Sequence, residues 1–235
     1  MALPQLNTPS YEMVVPSTGD TVKYRPFLIK EQKVLMIAQE TGKESDMARA
    51  MCDIVKSCTN GEIKNPEKLP TFDIEYMFLQ LRAKSTGAEV ELQITCPDDG
   101  ETKVPVTLDL EEVVVHKEDD HTTEIMITDT IGLKMKYPSM MDISKYQISK
   151  TNTVDLTFGI IKDCLESIFD EEQVYEEMTK KELDEFIESM STDQFGKLQK
   201  FFDTMPRVKH TIKVTNPKTN VESDVTIEGL KNFLG

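Results

Sequence analysis

The sequence predicts an α+β fold in which helices pack with short antiparallel hairpins, and three observations lead there. Apolar residues recur at helical spacing in several separate stretches, the clearest over residues 44–58 and 154–169. Alternating β-prone runs come in pairs joined by Pro-containing turns, at the N-terminus, in the centre and at the C-terminus. The central and C-terminal hairpins also echo each other, each preceded by a helix and followed by a short acidic-apolar segment. The expected organisation is an N-terminal hairpin with helices over 1–87, a central antiparallel β region over 88–138, and a helical region with a hairpin over 139–235. All three are read as parts of one integrated fold.

The opening stretch, YEMVVPSTGDTVKYRPFLIKEQKVLM from Tyr11 to Met36, is a hairpin running into a helix. Val14 and Val15 end one arm, residues 16–20 turn, and Thr21 to Arg25 return. Pro26 stops the ladder and suits a helix opening, after which Leu28, Leu35 and Met36 follow at helical spacing. Residues 44–58 form a second helix with Met47, Met51, Ile54, Val55 and Cys58 on one face, stopped by Asn60-Gly61. After a loop bracketed by Pro66 and Pro70, Thr71 or Asp73 caps a third helix through Met77, Phe78, Leu81 and Arg82, ended by Gly87.

Val90, Leu92 and Ile94 then alternate with polar residues, C-P-D-D-G turns, and residues 102–108 alternate back. Short β-prone runs at 113–115, 124–127 and 132–137 complete a small antiparallel sheet. Helices return at 141–149 and 154–169. Thr179 with Glu182 three residues on is a capping box, followed by the stripe Leu183, Phe186, Ile187 and Met190. Residues 191–193 cap a last long helix through Phe195, Leu198, Phe201 and Phe202. Val208, His210, Ile212 and Val214 alternate, N-P-K-T-N turns, residues 221–227 return, and 228–234 close with one helical turn.

Composition narrows the function classes. The formal net charge of the 235 residues is −15, which repels phosphate backbones and anionic membranes and favours a partner with a basic face. No apolar run reaches the length of a membrane span, and MALPQLNTPS lacks a signal-peptide core. Four scattered Cys make no disulfide framework and fit a reducing cytoplasm. With no Trp, the 10 Phe and 13 Met supply most of the large packing surface.

Catalytic and metal chemistry find little purchase. Cys96 sits in a turn shaped like a zinc knuckle whose second Cys is replaced by Asp99, short of the four ligands a structural zinc needs. There is no G-x-S-x-G elbow, P-loop or H-E-x-x-H, and Cys164 lies on an apolar helix face as a buried thiol. His116 and His121, beside Asp119 and Asp120, could poise an acid/base pair but are read as solvated loop residues. The acidic stretch 163–188 lacks EF-hand spacing and is either a solvated face or a surface for a basic partner. No catalytic residue, cofactor or metal ligand is assigned.

Three blocks carry a family resemblance: K-Y-R-P-F-L-I-K-E-Q-K-V-L at 23–35, the C-P-x-x-G hairpin with L-D-L at 96–110, and T-I-E-G-L-K-N-F-L at 226–234. Together they resemble the baseplate hub subunit and assembly family of T4-like contractile-tailed bacteriophages. Some members carry fuller Cys pairs in the hairpins; this chain does not, so no zinc is carried over. The resemblance implies a non-enzymatic protein of the infected bacterial cytoplasm that helps build the central hub, either as a component or as a factor that leaves after assembly. Its partners would be other hub or tail proteins, with neither nucleic acid nor stable membrane insertion involved. The candidate docking residues are Tyr24, Arg25, Phe27 and Leu28, which would hold the hairpin on the first helix, with Arg25 also able to reach a partner. Leu230, Phe233 and Leu234 would form either a terminal latch or an insertion into a partner groove. Competing readings are an acidic cytosolic module or chaperone for basic proteins acting through 163–188, and a metal-dependent hydrolase using His116 and His121.

Overall fold

The computed structural model describes residues 6–148 and 153–234, and the architecture is α+β with small antiparallel sheets. The chain forms two compact units, Met1–His116 with Arg207–Gly235, and Lys117–Pro206.

The first unit begins with the hairpin β1 (Tyr11–Val14) and β2 (Thr21–Tyr24), paired Tyr11 to Tyr24 and Val14 to Thr21. Helices α1 (Ile29–Thr41), α2 (Glu44–Cys58) and α3 (Thr71–Thr86) follow. Left-handed Asn60 and Gly61 end the turn after α2, as expected. Helix α3 buries residues all round its axis, among them Ile74, Met77, Phe78, Leu79 and Leu81, as a central helix must. Neither Thr71 nor Asp73 caps it: Pro70 occupies that position without a side-chain bond. Asp73 is instead buried in the first turn, its carboxylate accepting the Ser17 N–H at 2.9 Å and the Ser17 hydroxyl, which ties the β1–β2 turn to the central helix.

The second hairpin is β3 (Glu89–Thr95) with β4 (Lys103–Asp109). Strand β5 (Val114–His116) does not join it, so the small sheet expected in the middle of the chain is dispersed. β5 lies instead against a strand from far along the sequence, with Val114, Val115 and His116 opposite Lys209, Val208 and Arg207. The two hairpin turns meet: the Asp98 carboxylate accepts two bonds from the Asn216 amide, each at 3.0 Å, and one from the Thr219 hydroxyl.

In the second unit β6 (Glu124–Met126) and β7 (Gly132–Met135) are followed by α4 (Met140–Ile148) and α5 (Thr153–Cys164). Ser149, the expected end of the first of these helices, lies outside the described residues. The helix expected over 154–169 stops at Cys164, and β8 (Leu165–Phe169) continues as a strand. L-E-S-I-F buries Leu165 and Ser167 while exposing Glu166, and β7 offers its free edge. Pairing therefore overrides the helical run. β9 (Val174–Tyr175) completes the order β6-β7-β8-β9. Gly132 is required by this pairing, because a Cβ there would fall inside the Phe169 ring and against the Met126 sulfur.

The capping box on Thr179 and Glu182 opens α6 (Lys180–Glu188), and Ser191 with Gln194 opens α7 (Thr192–Thr204). Ile187, Leu198 and Phe201 from these helices share a core with Ile125, Leu133, Met135 and Ile161. Leu183, Phe186 and Met190 pack against its margin.

The chain then returns to the first unit as β10 (Arg207–Thr215) and β11 (Glu222–Glu228), ending in the short helix α8 (Leu230–Leu234). β10 pairs with β11 on one side and β5 on the other, giving the order β11-β10-β5.

The turns at 15–19, 96–100 and 216–220 share one construction. Pro stands second, a left-handed residue (Gly19, Gly100, Asn220) stands fifth, and the fifth N–H donates to the first carbonyl. Those bonds measure 2.8, 2.9 and 2.8 Å, and the first residue of each turn, Val15, Cys96 or Asn216, is buried.

Candidate docking surface

Pro26 and Phe27 link the hairpin to α1. Phe27 is buried and its N–H donates to the Ser85 hydroxyl at 2.9 Å, so the link is fastened to α3. Tyr24 is buried at the end of β2, its phenol pushed up to about 12 by burial and by nearby Glu111. Neither side chain faces solvent, and both fix where α1 starts.

Arg25 turns inward. Its Nη2 lies 2.8 Å from Glu31 Oε1 and also reaches the Ser57 hydroxyl at 3.2 Å, while Nη1 donates to the Pro26 carbonyl at 3.0 Å. Glu31 accepts in addition the Ser57 hydroxyl at 2.7 Å and the Leu28 N–H at 2.9 Å, closing the first turn of α1 from within. Burial alone would raise the Glu31 carboxyl, but the bonds from Arg25, Ser57 and Leu28 overcome it and hold the group at about 2.

This ion pair inverts the amphipathic reading of α1. The residues it buries are Glu31 and Ala38, with Leu35 half-buried. Its other large apolar residues are turned to the outside. Ile29 is 79% exposed, Met36 55% and Ile37 53%, with Leu28 and Val34 close behind at 40% and 41%. Hydrophobic spacing alone could not show this, because the buried stripe is made of a charge and an alanine. The one local signal is Glu31 at the third helical position, and its partners Arg25 and Ser57 come from other elements.

Two of the C-terminal candidates fall inside the fold. Phe233 is fully buried and Leu230 nearly so, while the Leu234 side chain lies outside the described residues. Glu75 of α3 accepts the Leu230 N–H, and burial pushes its carboxyl up to about 7 despite that bond.

The residues of the hydrolase reading are divided between the two units. His116 ends β5 and is exposed. His121 belongs to the second unit and is buried rather than solvated. Its Nδ1 is 2.9 Å from the Thr204 hydroxyl, its Nε2 is 2.9 Å from the Tyr137 hydroxyl, and its ring lies against Tyr137 and Phe201. Burial lowers its pKa, which suits a neutral packing residue. Cys52, Cys58, Cys96 and Cys164 are all buried free thiols, and burial pushes every one of them up. No group of three or more His, Cys, Asp or Glu suited to a metal occurs among the described residues.

Beside the acidic stretch, a groove of about 350 Å³ is lined by Ile131, Ile168, Met178 and Phe186 together with Asp170, Glu177 and Glu182. Two of these carboxylates are committed within the chain. Asp170 takes the Glu172 and Gln173 N–H groups and the Tyr175 hydroxyl, and Glu182 closes the Thr179 capping box. No helix among the described residues is long and apolar enough to cross a membrane.

No curated protein and no solved structure matches the chain. The sequence model of the family described as T4 bacteriophage base plate protein matches residues 8–235, taking in both compact units. With nearly the whole length covered, the chain belongs to the T4 bacteriophage base plate protein family.

Proposed function

We propose that this baseplate protein is non-enzymatic and takes part in assembling the central hub, as a hub component or as an assembly chaperone, by docking to other hub or tail proteins in the host cytoplasm. The observation that carries the docking reading is the concentration of exposed apolar side chains from Leu28 to Ile37. Isolated surface hydrophobics are ordinary, whereas a contiguous group marks an interaction site. Leu28 is the accessible member of the candidate set. Tyr24, Arg25 and Phe27 support it from beneath, and Leu230 and Phe233 serve as a terminal latch.

Quantitative peptide mass spectrometry on mature particles and on isolated tail-assembly intermediates tests this. A fixed copy number in particles identifies a hub component, and presence only in intermediates identifies a departing factor. Absence from both overturns the reading.

A further inference from the structure

We propose that the outer face of α1 receives an acidic amphipathic helix of another baseplate protein. This rests on the docking reading above and names the chemistry of the partner.

The face has the shape of a helix seat. Of the twelve large hydrophobic residues most exposed in the described chain, five lie between Leu28 and Ile37; Ile29, Met36 and Ile37 share the side of α1 opposite the buried Glu31 and Ala38, and Leu28 and Val34 flank it. Ile29 and Met36 are one heptad apart and so nearly in line, about 10 Å apart along the axis, with Ile37 beside Met36. A stripe running along a helix axis fits a second helix laid beside it, better than a single inserted side chain.

Charge selects the partner. Lys30 and Lys33 stand exposed among these apolar residues, Glu31 is buried, and the exposed Glu40 follows one turn beyond Met36, past the end of the apolar stretch. Lys30 lies 3.4 Å from Glu31, whose carboxylate is already held by Arg25. Within Leu28–Ile37 the exposed charges are thus two cations and no acid, which in a chain of net charge −15 complements an apolar helix flanked by Asp or Glu. The seat is also preset: Arg25, Glu31 and Ser57 fix the start of α1 from below, so docking spends little free energy on ordering it.

The test places the photo-cross-linker benzoylphenylalanine at Met36, at Ile37 and, as a control, at exposed Val221, in the full chain expressed during infection. Adducts are identified by peptide mass spectrometry. Positions 36 and 37 are expected to capture a baseplate protein through a peptide rich in Asp or Glu and apolar residues. The captured protein, purified, should then bind Lys30→Glu/Lys33→Glu at least tenfold more weakly, with the melting temperature unchanged. Adducts to a basic peptide, or to a second copy of this chain, overturn the proposal. So does capture of baseplate proteins from Val221 alone, which leaves the docking reading standing. No baseplate adduct from any position, with the protein absent from particles and intermediates, overturns both.

Discussion

Two carboxylates, buried Glu31 and half-buried Glu75, act on stability with opposite signs. Glu31 is held at about 2 in the fold, below the ordinary value of 4.5, because Arg25, Ser57 and the Leu28 N–H favour its charged form. Its stabilising contribution is therefore complete above about pH 4.5 and is lost as pH falls through about 2. Glu31→Gln leaves the Arg25 guanidinium buried without its counter-charge, at a cost of about 3 kcal/mol near pH 7. In urea titrations the deficit against wild type should shrink as pH falls from 5 to 2. A deficit that ignores pH would show that the charge is not what matters there. Glu75 behaves the other way. Burial raises its carboxyl from 4.5 to about 7, so the folded chain binds the proton more tightly than the unfolded chain does. Stability then falls as pH rises through that window. Glu75→Gln should match wild type near pH 4 and melt at a higher temperature near pH 8.

At the scale of elements, the C-terminal latch is the sharpest case. Phe233 is fully buried in α8, a helix too short to persist by itself, so its packing holds the segment down. Phe233→Ala should cost about 3–5 kcal/mol, and deletion of 229–235 should lower Tm by on the order of 10 °C. An unchanged Tm with lost partner binding would make the segment a contact surface instead. Elements of this kind were legible in the sequence where the signal is local. The three Pro-containing turns, the capping box at Thr179, the cap within 191–193 and the boundaries of α2 are written in neighbouring residues. What stayed hidden depends on distant partners. Residues 165–169 have helical apolar spacing and become β8 only because β7 is beside them. Asp73 has the chemistry of a cap but is claimed by Ser17. On α1 the apolar residues read as core until Arg25 draws Glu31 inward and leaves them outside. The docking face was thus visible as a hydrophobic helix, but not as an exposed one.

For the whole molecule, the second unit is an insertion. Lys117–Pro206 leaves the first unit after β5 and returns at β10, and His116 and Arg207 are register partners in the antiparallel pair they end. The two ends of the insertion therefore already sit where a two-residue hairpin turn would join them. The inserted unit has a core of its own, in which α5, α6 and α7 pack on β6 and β7 through Ile161, Ile187, Leu198, Phe201, Ile125 and Leu133. The first unit keeps α3 at its centre and retains the turn clasp of Asp98 with Asn216. Each piece thus holds the contacts that stabilise it. A chain of 1–116 joined through Asn-Gly to 207–235 should fold cooperatively, with dispersed amide resonances and a single urea transition. It contains all of α1, so it should also compete with the full chain for whatever partner α1 captures. Failure of the shortened chain to fold, with residues 117–206 also unfolded alone, would mean that the two units stabilise each other. A folded shortened chain that does not compete would instead place the docking surface in the inserted unit, where the Ile168–Phe186 groove becomes the surface to mutate next.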